Sequence, residues 1–342
     1  MKELVYALAG IGAGAVLFFL QSAARFLAFH LLTPSEPLKK YKRADTDAYA
    51  LITGASAGIG LGVARELVNQ GFGVILLGHL ADELAAAADS IRRARPGAKV
   101  RTLLLDARSA TPDDMAAAVA SLSSELTITV LVNNVGGNPV NNPPFRPLGT
   151  YSLADVDAVI NQNARFMARL TALLIPTLSS TTTNTTTTSV TPRTAQEERS
   201  LILTLSSAAQ VGVPWLVMYG ATKAFNRAFG AGLARELAAC TETARVDSLV
   251  VVPGEVLSQG NCQSVPRSAP TADRFGRDIV RKADVALRNG WREMHPHWLH
   301  GIEDVLLRIA PEAALTKGLV DQLWAKKVAW DEFLKDKDKK NE

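Results

Sequence analysis

The chain has 342 residues, 47% hydrophobic and 20% charged, enough for one large α/β domain with extensions. A net charge of +4, 6% aromatics and the lack of a basic stripe interleaved with aromatics argue against a nucleic-acid partner. Cys240 and Cys262 form neither a disulfide framework nor a metal cluster, and the five histidines lack metal-ligand spacing, so no metal is expected and a reducing, cytosol-facing location fits.

Leu4 to Ala24 carries no charge, and as a helix these 21 residues span about 31 Å, the thickness of a hydrocarbon core. This predicts a transmembrane helix within a membrane anchor over residues 1–33, with membrane lipid as its partner. The rival is a signal peptide, whose apolar region is shorter and ends at a small-residue cleavage site. A buried core helix is rarely apolar on all faces at an extreme terminus. Gly10 and Gly14 form a G-x-x-x-G, a weak pairing motif, and Phe26 to Leu32 suits the membrane interface. Pro34 and Pro37 end the helix. A basic linker over 34–46 holds Lys39, Lys40, Lys42 and Arg43, against Lys2 alone before the span, which puts the following domain in the cytosol. Lys339 and Lys340, followed by Asn341 and Glu342, resemble the dilysine retrieval signal of endoplasmic reticulum membrane proteins, which is read from the same side. The competing reading is a solvated charged tail from Lys335. Together these features predict the endoplasmic reticulum membrane.

From Asp47 onward, strands are predicted over Tyr49–Thr53, Gly73–Leu77, Val100–Leu105, Thr129–Val132, Ser200–Leu205 and Arg245–Val252. Helical patterns such as Ile59–Asn69, Ala81–Arg95 and Asp113–Glu125 alternate with them. That alternation predicts a Rossmann-type, doubly wound parallel sheet with helices on both faces, over residues 47–290. Ser179 to Thr194 is nearly all threonine and serine and cannot bury apolar surface, so 179–199 is expected to be a disordered insert. Asn184 there is a formal glycosylation acceptor that a cytosolic loop would not expose to the machinery. After Gly290 no seventh strand is visible. Ile302–Ile309 and Leu315–Trp330 read as amphipathic helices of a C-terminal extension over 291–342, resting on the membrane or covering a pocket. Trp298, Trp324 and Trp330 serve either as interfacial anchors or as core.

Thr53-Gly54-Ala55-Ser56-Ala57-Gly58-Ile59-Gly60 follows the first strand and opens a helix. Its glycines allow a tight turn, and the helix N-terminus favours a pyrophosphate. Strand before and helix after are the context a dinucleotide site requires. Tyr219 and Lys223, four residues apart, share a helix face, so the ammonium would stabilise a phenolate and lower the phenol's pKa.

The spacing Gly-x-x-x-Gly-x-Gly resembles that of the short-chain dehydrogenase/reductase family, and the resemblance runs from about Tyr49 to Ser258. Asn133-Asn134-Val135-Gly136 matches its Asn-Asn-Ala-Gly motif, Asp106 its adenine-side acid, Asn163 its structural asparagine, and Tyr219-Gly220-Ala221-Thr222-Lys223 its Tyr-x-x-x-Lys element. Pro253-Gly254-Glu255-Val256-Leu257-Ser258 is similar to the stretch that closes on the nicotinamide. The resemblance implies an oxidoreductase with Tyr219 as acid/base and Lys223 on the nicotinamide ribose. It also implies a serine hydroxyl on the substrate oxygen and a water that Asn163 positions between Lys223 and solvent. The cofactor site it implies comprises Gly54, Ser56, Gly58, Ile59, Gly60, His79, Asp106, Asn133, Asn134, Tyr219, Lys223, Pro253, Gly254, Val256 and Ser258. Counting back thirteen residues from Tyr219, the family's usual spacing, gives Ser206. Strand register gives the second serine, Ser207, and register fixes side-chain direction more firmly. The end of the second strand, Gly78-His79, lacks the carboxylate that would bind an NAD ribose, so NADPH/NADP+ is expected over NAD.

Three features narrow the branch: the anchor, Tyr219 to Phe225, and His295-Pro-His-Trp-Leu-His-Gly301. The last two resemble stretches of very-long-chain 3-ketoacyl-CoA reductases and the related 17β-hydroxysteroid dehydrogenases. The implied partner is a lipophilic ketone substrate, an acyl-CoA of fatty acid elongation first and a steroid second. A secondary-metabolite ketoreductase and a noncatalytic membrane-bound scaffold stay open. Gln259 to Arg274 lies where the family has its substrate-covering loop. Members pair through the helices holding Asn163 and Tyr219, which implies a homodimer.

Overall fold

The computed structural model describes residues 1–32, 37–140, 143–180 and 198–341. Most of the Thr/Ser-rich insert, including Asn184, lies outside them, whereas Ser179 and Ser180 are the last residues of a helix rather than the start of a loop. The chain forms two compact units, Met1–Ser35 and Glu36–Glu342.

The first unit is helix α1, Lys2–Leu31. It is long and apolar enough to cross a membrane, and none of its most apolar 18-residue window is buried. Length and composition alone also describe a signal sequence.

The second unit is built on β1 (Ala48–Thr53), α2 (Gly58–Asn69), β2 (Gly73–Gly78), α3 (Ala81–Ala94), β3 (Val100–Leu104), α4 (Pro112–Glu125) and β4 (Thr127–Asn133). There follow α5 (Leu153–Ile160), α6 (Phe166–Ser180), β5 (Ser200–Leu205), α7 (Val217–Ala239), β6 (Val246–Val251), α8 (Ala272–Arg288), β7 (Glu293–Met294), α9 (Trp298–Ile309) and α10 (Glu312–Asn341). The sheet is parallel throughout, in the order β3-β2-β1-β4-β5-β6-β7. β1, β2 and β5 are buried at every position. This is why they read as unbroken aliphatic runs rather than alternating ones. Chain order reverses between β1 and β4, which opens a crevice at their carboxyl ends.

The seventh strand corrects the sequence expectation. Glu293 and Met294 pair with Val250 and Val251 of β6. Two residues are too short for any periodicity, and only the neighbouring strand defines them as sheet.

Local chemistry sets several helix starts. Thr111 and Asp114 form a capping box before α4, with Pro112 at the first helical position, and Ser152 and Asp155 do the same for α5. Leu51, Ile75, Leu131 and Ile202 of the sheet pack against Phe166, Leu170 and Leu174 of α6 in one buried cluster. On the other face α2 and α8 cross closely. A Cβ on Gly276 would lie 2.4 Å from both Gly62 C and Val63 N, with no flexible side chain to yield. Gly276→Ala is therefore expected to destabilise the fold by about 1–3 kcal/mol, measurable as a lowered denaturation midpoint.

Part of the basic linker is docked on this unit. Tyr41 is fully buried and donates its hydroxyl to Asp247 Oδ2 at 2.7 Å. Lys40 lies 3.2 Å from Asp247 and 3.1 Å from Asp284, and Arg43 pairs with Glu198 at 3.4 Å. At the other end, α9 buries His300 and Asp304 but leaves Trp298, Ile302, Val305, Leu306 and Ile309 between 41% and 71% exposed.

Candidate active site

The crevice is walled by the carboxyl ends of β1, β4, β5 and β6. Gly54 and Gly58 take left-handed backbone angles, φ +63° and +58°, which shape the turn between β1 and α2. A Cβ on Gly60 would stand 2.3 Å from Gly54 O and 2.5 Å from Asn134 Nδ2, so only glycine fits. The helix start at Ala57 carries no side-chain cap, which leaves its first N–H groups to an anion. Ser56, Ile59 and the turn glycines Gly54 and Gly58 are partly exposed along this rim, as an anion cradle requires.

Thr53 ties the turn to β4. Its hydroxyl accepts from the backbone N–H of Asn134 and of Val135, each at 2.9 Å, and Asn134 Nδ2 donates to Thr53 O and Gly54 O. Asn134 thus braces the turn. Asn133 does not reach the crevice: it is 3% exposed and points inward, donating to Thr171 at 2.9 Å and Thr204 at 3.4 Å. This departs from its expected place on the cofactor, because side chains alternate along β4 and Asn133 falls on the α6 side.

At the adenosine end, Asp106 accepts from the Arg108 backbone at 2.9 Å and from its guanidinium at 3.0 Å. Burial alone would raise the Asp106 carboxyl, but Arg108 and the nearby His79 hold it below its ordinary value. His79 itself is exposed. Ser56 Oγ donates to Glu83 Oε2 at 3.3 Å. The sequence reading overlooked this carboxylate because it stands in α3 and not at the end of β2.

Tyr219 and Lys223 lie on the first turns of α7, with Nζ 5.5 Å from the phenol ring centre. The two serines after β5 separate clearly. Ser206 is 2% exposed and donates to Lys223 O at 2.6 Å, which makes it a brace of α7. Ser207 lies beside Tyr219 and lowers its pKa, while Ser207 Oγ accepts from Ala209 N at 3.2 Å.

Lys223 is 4% exposed, and among the described residues no carboxylate pairs with it. Burial lowers its pKa to about 8. Burial also raises the Tyr219 pKa, and Ser207 opposes that rise only in part. The depression of the phenol expected from Lys223 does not appear: burial first and the Glu255 charge raise Tyr219, and Ser207 alone lowers it. Asn163 stands fully buried in a π-helical turn, Asn161–Arg165, between α5 and α6. Its Oδ1 accepts from Gly137 N at 2.9 Å and its Nδ2 donates to Gly137 O at 2.8 Å. A Cβ on Gly136 would meet Lys223 Nζ at 2.6 Å and Asn163 Oδ1 at 2.9 Å, so the three residues converge.

The loop after β6 closes the crevice. Pro253 O accepts from Ala208 N at 2.8 Å, beside Ser207. Val256 is buried, and the Ser258 Cβ lies 3.7 Å from where a Gly58 side chain would begin. Gly254 faces α9, where a Cβ would meet His300 Cδ2 at 2.6 Å and Glu303 Oε2 at 2.7 Å. His300 is lowered to about 4 by burial and by His297, so the neutral ring donates from Nε2 to Glu255 O at 3.1 Å. The histidine-rich stretch thus seats α9 on this loop.

Two other features lie apart from this cluster. An apolar cleft with Val211, Val213, Pro214 and Val217 in its wall opens at the start of α7, and neither Tyr219 nor Ser207 lines it. Ligand atoms of Glu293, His295 and Asp304 come within 4.8 Å of one another. Arg227 and Arg308 already engage Glu293, and Arg308 engages Asp304, so the trio is an ion-pair cluster.

Comparison with known proteins agrees with this geometry. The family model described as short chain dehydrogenase matches residues 48–267. A very-long-chain 3-oxoacyl-CoA reductase of Scheffersomyces stipitis is 28% identical over 298 residues, 85% of this chain and 80% of that one. A metagenomic short-chain oxidoreductase solved in complex with NADP is 25% identical with a TM-score of 0.56, over 72% of this chain and 96% of that one. A short-chain dehydrogenase from Sphingobium yanoikuyae, solved with NADPH, shares the fold at 22% identity and a TM-score of 0.58, over 78% and 97% of the two chains. The chain belongs to the short chain dehydrogenase family of oxidoreductases.

Proposed function

We propose that the protein is an NADPH-dependent ketone reductase acting on long-chain 3-ketoacyl-CoA, anchored by α1 in the endoplasmic reticulum membrane with its reductase unit in the cytosol. The observation that carries the reading is the convergence of Tyr219, Ser207, Lys223 and Asn163 at the crevice where the sheet order reverses. The glycine turn and the uncapped start of α2 would hold the pyrophosphate, and Asp106 and His79 would flank the adenosine. When bound, the nicotinamide supplies the hydride. The Tyr219 hydroxyl gives the substrate oxygen its proton, and Ser207 donates a hydrogen bond to that oxygen beside it. Burial keeps the phenol protonated at neutral pH, which suits reduction. Lys223 holds the ribose, and Asn163 keeps the carbonyl of Gly137 in place for a water leading out.

The substrate class is supported by the named reductases to which the chain is similar, and by apolar surface on α1 and α9 that suits a lipid-borne acyl chain. The lack of a carboxylate after β2 supports NADPH; Glu83, bonded to Ser56, favours NADH as the second reading. The test is nucleotide oxidation by detergent-solubilised protein, with NADPH and NADH each offered a long-chain 3-ketoacyl-CoA and a 17-ketosteroid. Turnover of the acyl-CoA with NADPH is expected. Turnover of the steroid alone would move the protein to the hydroxysteroid branch, and tight nucleotide binding without turnover of either would point to a noncatalytic role.

A further inference from the structure

The C-terminal helix reaches the active-site loop with a buried cation. Leu319, Leu323, Lys326 and Trp330 recur on one face of α10. Leu323 is buried with Phe145 and Val213, and Leu319, Trp330, Trp215 and Leu216 pack around them. Trp215 holds a left-handed backbone, φ 60°, that a bulky residue adopts only where its surroundings enforce it. Its ring centre lies 5.5 Å from that of Trp324. Within this packed face Lys326 is 7% exposed, and its ammonium reaches both carboxylate oxygens of Glu255, at 2.7 and 2.5 Å.

Glu255 stands two residues beyond Pro253, whose carbonyl receives the N–H next to Ser207. Several groups face it. Asn261 Nδ2 donates to its carboxylate at 2.7 Å, and the neutral His300 binds its backbone carbonyl. Glu303 of α9 is raised by burial and by the Glu255 charge. On the α7 side stands Tyr219, whose ionisation the Glu255 charge opposes. Among the described residues, Lys326 is the cation that pairs with this carboxylate.

We propose that Lys326 is a positioning residue for the Tyr219 site: it pairs with Glu255, seats α10 on the loop after β6, and screens that carboxylate from the phenol. The proposal rests on Tyr219 as the acid/base, yet its test needs no turnover. Removing Lys326 would leave a half-buried carboxylate unpaired near the phenol, and a like charge disfavours a second anion. Removing Glu255 would instead leave an unpaired cation there.

The measurement is the phenolate absorbance titration of Tyr219 in the full chain, taken as the difference between each variant and the same variant carrying Tyr219→Phe. Lys326→Met is expected to move Tyr219 upward by roughly one pH unit or more. Lys326→Arg should restore the wild-type value, Glu255→Gln should move it downward, and the double variant should return near wild type. An unmoved Tyr219 in folded Lys326→Met, or a rise that persists in the double variant, overturns the proposal. Should Lys326→Met not fold, an unmoved Tyr219 in Glu255→Gln overturns it equally. If these shifts occur in protein that reduces no ketone, the pairing stands and the reductase reading fails.

Discussion

Tyr219→Phe is expected to lower ketone turnover by about 10²–10⁴-fold while leaving nucleotide affinity within a few-fold of wild type. The substitution removes one oxygen and keeps the ring that lies 5.5 Å from the Lys223 ammonium. The lost oxygen stands beside Ser207 and is the proposed proton donor, whereas the glycine turn is untouched. Single-turnover rates with saturating nucleotide separate the two effects. Equal loss of binding and turnover would mean that the tyrosine shapes the crevice and donates nothing to the substrate.

Lys223→Met should have opposite consequences for stability and function. The wild-type ammonium is lowered by burial from 10.5 to about 8. Below pH 8 both folded and unfolded chains hold the proton, and the folded state carries the full cost of a desolvated charge. Between about 8 and 10.5 the unfolded chain binds more protons, so wild-type stability rises with pH through that window and the cost is gone above it. A methionine of similar length never carries that cost. The variant is expected to be more stable than wild type by about 3 kcal/mol at pH 7, with the difference vanishing near pH 10.5. Nucleotide binding should weaken about tenfold or more, since the charged hydrogen bonds proposed between Lys223 and the ribose would be lost. Denaturation midpoints of both proteins between pH 7 and 10 check the sign. A destabilised variant at pH 7 would mean that the ammonium has favourable partners in the folded chain.

The central fold was legible because its signals are local. β1 and β5 announce themselves as aliphatic runs, the glycine turn sits between a strand and a helix, and Tyr219 and Lys223 share a helix face by spacing alone. What was not legible depends on partners distant in sequence. β7 exists only as two residues beside β6. Asn133 sits in the expected motif yet turns toward α6, a direction set by the pleat of β4. The Ser206–Ser207 choice depends on which hydroxyl meets the carbonyl of Lys223 and which stands beside the phenol. Lys326 and Glu255 are separated by 71 positions, and no periodicity of α10 says which loop its buried face will meet.

Ser200 Oγ, at the start of β5, donates to Leu178 O near the end of α6 at 2.8 Å. The two ends of the intervening stretch therefore meet, at the amino-terminal edge of the sheet, opposite the pole where Tyr219 and the glycine turn lie. Closing a longer stretch between fixed ends costs only the logarithm of its length. This junction is accordingly a natural splice point. A fluorescent reporter or affinity epitope placed between these anchors is expected to leave nucleotide binding at the far pole unchanged.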